Sequence, residues 1–107
     1  MKKMKYRFGD LNQAVDLSDL DFVLRYEQAV AEYEEGIKNL DWDISPSARL
    51  EQVCQLFFGL FDHLFGEGSS QKMFGETKSI SLCTKAFTLL LRSMNKYAQE
   101  LKNEDAA

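Results

Sequence analysis

The 107-residue chain sets 13 Lys and Arg against 17 Asp and Glu, a formal net charge of −4, with 45% hydrophobic and 28% charged residues. That balance belongs to one globular domain rather than a disordered chain, and its acidity argues against a nucleic-acid surface, which needs a clustered positive field. Eight Phe, four Tyr and one Trp supply a core without metal or disulfide staples. No run approaches the ~18 apolar residues of a membrane span. The basic start, Lys2, Lys3, Lys5 and Arg7, leads into Gly9-Asp10 rather than an apolar signal core, so a cytoplasmic chain is expected.

In chain order, Met4, Tyr6 and Phe8 alternate with Lys5 and Arg7, Gly9-Asp10 offers a tight turn, and Leu11, Gln13, Val15 and Leu17 alternate again. This pattern predicts a β-hairpin over residues 1–17. Leu17-Ser18-Asp19-Leu20-Asp21-Phe22 then reads as a helix start, with Ser18 as N-cap, Asp21 in the capping-box position and Leu17 stapling against Phe22. Phe22, Val23, Tyr26, Ala29, Val30, Tyr33, Ile37 and Leu40 share one face, which predicts a helix over 18–40.

The most apolar stretch follows a short linker, Asp41-Trp42-Asp43-Ile44. Leu50, Val53, Cys54, Phe57, Leu60, Phe61 and Leu64 recur at intervals of three and four, and Leu56, Phe58 and Phe65 widen their arc to roughly 200° at about 100° per residue. A helix this apolar must be buried against more than one partner. Ser45 as N-cap, Pro46 at the first helical position and Gly66 as the terminating residue bound it at 45–65.

Residues 66–78 read as a loop holding one short helical turn, because Met73 and Phe74 sit between Gly68 and Gly75 and a free linker would be polar throughout. Inward docking of Phe74 is expected. Glu67, Ser69, Ser70 and Lys72 then present the outer face, and with Trp42 and Met73 they form the candidate partner-binding set. Ile80, Cys83, Phe87, Leu90, Met94, Tyr97 and Leu101 give the last helix, 79–103, a seam three heptads long, with Glu104 to Ala107 expected to fray. The fold predicted is mainly α, a three-helix bundle-like domain with an N-terminal β-hairpin and a short helical turn before the last helix. The seam and the hairpin edge together predict a homo-oligomer.

No catalytic, cofactor or metal set emerges from these residues. Asp41, Asp43 and Ser45 have calcium-loop spacing, but Pro46 stands where glycine is needed and Gln52 where a bidentate glutamate is needed. Asp62-His63 lacks the Glu-x-x-His pattern of a bundle metal site, and His63 is the one histidine. Gly66-Glu67-Gly68 follows a helix instead of opening one, unlike a phosphate loop. Acid–base catalysis needs carboxylates in a dry pocket, and most of Glu27, Glu32, Glu34 and Glu35 belong to a solvated helix face. Cys54 and Cys83 fall on apolar faces and read as buried, reduced thiols, and Phe57, Phe58, Phe61 and Phe65 read as core rather than a pocket.

The run Phe61-Asp62-His63-Leu64-Phe65-Gly66-Glu67-Gly68-Ser69-Ser70-Gln71-Lys72-Met73-Phe74-Gly75 resembles a family of small phage and prophage proteins of Gram-positive bacteria. Asp16-Leu17-Ser18-Asp19 and Cys83-Thr84-Lys85-Ala86-Phe87 extend the resemblance over most of the chain. Size, acidic balance and hairpin-then-helices order are similar to those of phage tail assembly chaperones, which hold the tape measure protein before tail polymerisation. The resemblance implies a non-enzymatic protein-binding factor of the host cytoplasm, with no catalytic residues to carry over. The alternatives are a regulatory or host-directed binding protein of the same fold, or a small ligand binder using the Phe-rich face.

Overall fold

A computed structural model describes residues 3–106, with side chains through Asn103. Strands β1 (Met4–Phe8) and β2 (Leu11–Val15) pair antiparallel, with Met4 opposite Val15 and Phe8 opposite Leu11. The alternation seen in the sequence puts Met4, Tyr6, Leu11 and Val15 into the core. Among the described residues four helices follow: α1 (Leu20–Lys38), α2 (Pro46–Phe65), α3 (Ser69–Phe74) and α4 (Ile80–Ala106). The molecule is therefore mainly helical and carries the expected N-terminal hairpin. Met1, Lys2 and Ala107, which the predicted hairpin and tail include, lie outside the described residues.

Local chemistry sets the helix ends. Ser45 caps α2, its Oγ accepting the Ala48 amide at 3.2 Å, with Pro46 first in the helix and Gly66 ending it at φ 110°. At α1 the cap is Asp19 rather than Ser18. The Asp16 carboxylate takes the Ser18 amide at 2.9 Å and commits Ser18 to a turn, so that Asp19 accepts the Asp21 amide at 3.0 Å. Helix α1 stops at Lys38, two residues before Leu40, with the Asn39 amide closing on the Glu35 carbonyl. Helix α4 starts where Ser79 Oγ accepts the Leu82 amide and runs three residues past the predicted end, through the segment expected to fray.

The apolar arc of α2 is covered from several sides, as its width requires. It packs against α1, α3 and α4, and Cys54, Phe57, Leu60, Phe61 and Leu64 are buried, Phe61 completely. Leu50 is the exception to the predicted face: it is 52% exposed and lies in an open groove with Ile37, Trp42 and Ile80. In α4 the predicted seam is used inside the molecule. Cys83, Leu90 and Tyr97, joined by Ala86, are buried where α4 meets β1 and α2. The whole measures 55 × 27 × 21 Å, an elongated body set by its long helices.

Candidate functional site

Two regions hold the candidate residues, and they differ in what they leave exposed. The first is the segment after α2. Gly68, the residue before α3, has no side chain to cap it, and Asp62 Oδ1 instead accepts the Ser70 amide at 2.7 Å. Asp62 is thus used in holding α3. Its neighbour His63 places Nδ1 3.1 Å from Glu32 Oε2 and so joins α2 to α1. Phe74 docks inward, as expected, among Phe8, Phe58 and Phe61, with ring centroids 5.5, 5.4 and 5.7 Å away.

The hairpin clamps this segment from outside. The Asp10 amide donates to the Lys72 carbonyl at 2.9 Å, and Gly9, at φ 57°, brings its backbone against the Met73 carbonyl so closely that any Cβ would collide with it. Met73 and Ser69 are buried as a result, and they leave the candidate partner-binding set. A helix of six residues turns one side inward, and the side chains at 69 and 73 share that side. Glu67 and Lys72 stay exposed and Ser70 half-buried.

The second region lies at the opposite end of α2. Trp42, from the α1–α2 linker, is 57% exposed beside Leu50 at 52%. With Ile37, Pro46, Val53 and Ile80 they line an open groove of about 510 Å³, in which Arg49 is the one charged lining residue among the described residues. Lys78 Nζ donates to Glu51 Oε1 at 2.7 Å and ties the approach to α4 onto α2 beside it. That bond, with the lysine's charge, holds the Glu51 carboxyl below its ordinary range. The structure brings together Trp42, read in the sequence as a candidate, and Leu50, read there as core. It separates Trp42 from the segment at 67–72. A large aromatic in a short linker beside Pro46 was the available signal for the groove. Nothing in the spacing of Leu50 distinguishes it from Val53 or Phe57.

Cys54 and Cys83 are free and buried, and burial first, then the adjacent Cys54 thiol, pushes the Cys83 thiol up to about 12. The Phe-rich face of α2 is filled by its own neighbours: Phe57 meets Tyr33 at 4.7 Å and Phe65 stacks on Tyr6 at 5.3 Å. Among the described residues no three His, Cys, Asp or Glu side chains gather as a metal-binding group. No helix among them is long and apolar enough to cross a membrane.

No curated protein and no solved structure matches the chain. Over residues 9–107, from the hairpin turn through α4, the chain matches the Family of unknown function (DUF6673), and it belongs to that family.

Proposed function

We propose that this protein is a non-enzymatic protein-binding factor of phage or prophage origin that acts in tail morphogenesis, in the manner of a tail assembly chaperone. The observation that carries the binding part of this reading is the groove around Trp42 and Leu50. An exposed Trp beside an exposed Leu, over a lining with one charged residue, is the composition of an interface anchor, and these side chains are costly to leave in water. Its open, apolar lining suits the apolar face of an amphipathic helix. The morphogenesis part rests on the sequence resemblance, and it names the tape measure protein as the partner and the host cytoplasm as the place of action.

Co-expression of the intact chain with a phage tape measure protein tests this reading. The two proteins should co-purify, and Trp42→Ala should weaken the complex by the ~2 kcal/mol or more of an aromatic anchor. A tape measure protein that passes through without the chain removes the tail-assembly reading.

A further inference from the structure

Charge is segregated between the two helices that flank α2. Helix α1 carries five carboxylates, Asp21, Glu27, Glu32, Glu34 and Glu35, against Arg25 and Lys38. From Ile80 to Gln99, α4 carries Lys85, Arg92 and Lys96 and no carboxylate. On α1, Arg25 lies over the Phe22 ring and Glu32 pairs with His63, which draws both off the outward side. The exposed residues on the side opposite buried Phe22 and Ala29 include a row, Leu24, Glu27, Ala31 and Glu34, with Lys38 next in it and Gln28 and Glu35 alongside. On α4 a row with the same spacing, Leu82, Lys85, Leu89 and Arg92, runs along the flank of the side that buries Cys83 and Leu90, all four exposed. Lys85, Leu89 and Arg92 also line an open hollow of about 580 Å³ with Ser81, Thr84 and Thr88.

The two rows have the same spacing, steps of three, four and three. One alternates apolar with acidic and the other apolar with basic. Side by side and parallel, they bring Leu24 to Leu82, Ala31 to Leu89, Glu27 to Lys85 and Glu34 to Arg92, so that apolar pairs alternate with ion pairs, while the next step sets Lys38 beside Lys96 as the one like-charge pair of the two rows. Run antiparallel over the same span, they set charges against apolar side chains. Both rows belong to one chain but to different helices, and neither Lys85 nor Arg92 has an ion-pair partner among the described residues.

We infer that a second copy of this chain is the occupant of the α4 face: α1 of one copy docks parallel on α4 of the next, with acid matched to base. The inference gives a geometry to self-association and takes nothing from the groove around Trp42, so each stands or falls on its own measurement.

Sedimentation equilibrium of the intact chain between about 10 and 200 μM tests it, with Glu27→Lys/Glu34→Lys and Lys85→Glu/Arg92→Glu as variants. The wild type should associate at low salt and move toward monomer in about 0.5 M salt, where charges more than a few ångströms apart are screened. Each double variant alone should associate at least about tenfold more weakly. An equimolar mixture should regain association, because the basic α1 of one then meets the acidic α4 of the other. Circular dichroism shows that each variant is folded. A monomeric wild type, double variants that associate as well as wild type, or folded variants whose mixture stays monomeric would each overturn the inference. Association that survives both charge reversals would instead implicate another surface, such as the hairpin edge.

Discussion

The Tyr6 hydroxyl donates to the Ala86 carbonyl oxygen at 2.7 Å across 80 residues of sequence, so the first strand is fastened to the last helix inside the core. The same ring stacks on Phe65 at an interplanar angle of 11°, which makes Tyr6 a junction of β1, α2 and α4. Tyr6→Phe keeps the stacking and removes the bond. It should cost about 1 kcal/mol in chemical denaturation, the usual net worth of one hydrogen bond.

Burial also raises the Tyr6 hydroxyl above its ordinary 10.0, and the Cys83 thiol from 9.0 to about 12. Tyr26 and Tyr33 shift in the same direction. All four groups hold their protons more tightly folded than unfolded. The stability this confers is fully present below about pH 9 and is lost as pH rises through the folded values. Denaturation midpoints should therefore fall steadily from pH 9 upward, less steeply in Cys83→Ala and Tyr6→Phe than in wild type. A midpoint flat to pH 11 would contradict the burial of these groups.

Phe61 is completely buried and touches the Phe74 ring, whereas Phe74 retains slight exposure on a six-residue helix. Phe61→Ala should cost about 3–5 kcal/mol, and Phe74→Ala less, because the short helix can settle into the space. Urea denaturation decides the order. A loss under about 1 kcal/mol at Phe61 would mean that α2 faces a different way.

Two glycines should respond in opposite directions. Gly9 combines a left-handed φ with backbone contact to Met73, so Gly9→Ala should destabilise by more than about 1 kcal/mol and loosen the hairpin from α3. Gly59 lies inside α2, and a Cβ added there would meet nothing within 4 Å, so Gly59→Ala should stabilise by about 0.5–1 kcal/mol through helix propensity. Thermal unfolding of the two variants reads both signs.

Features that one or two neighbouring residues decide were legible in the sequence. Ser45 with Pro46, Gly66, the hairpin alternation and the inward Phe74 all follow from backbone chemistry or from a local contrast of apolar and polar residues. Features that depend on which distant element arrives to cover a face were not. Leu50 has the spacing of a core residue, but Ile37, Trp42 and Ile80 leave an open groove around it. Ser69 and Met73 look available until the hairpin turn closes over them through Asp10 and Gly9. The cap at Asp19 rather than Ser18 was a contest between two equally good side chains, and Asp16 decides it.

The reading of this protein as a partner-binding factor comes down to the groove of Trp42 and Leu50. The most direct measurement is calorimetric titration of the intact chain with a phage tape measure protein, the partner proposed above, for wild type and for Leu50→Glu. Because Leu50 is half exposed, the substitution should leave thermal stability within about 0.5 kcal/mol of wild type. We expect wild type to bind and Leu50→Glu to lose at least about thirtyfold in affinity, equivalent to ~2 kcal/mol at a buried anchor. No binding by wild type, or equal binding by a folded Leu50→Glu, would contradict the assignment.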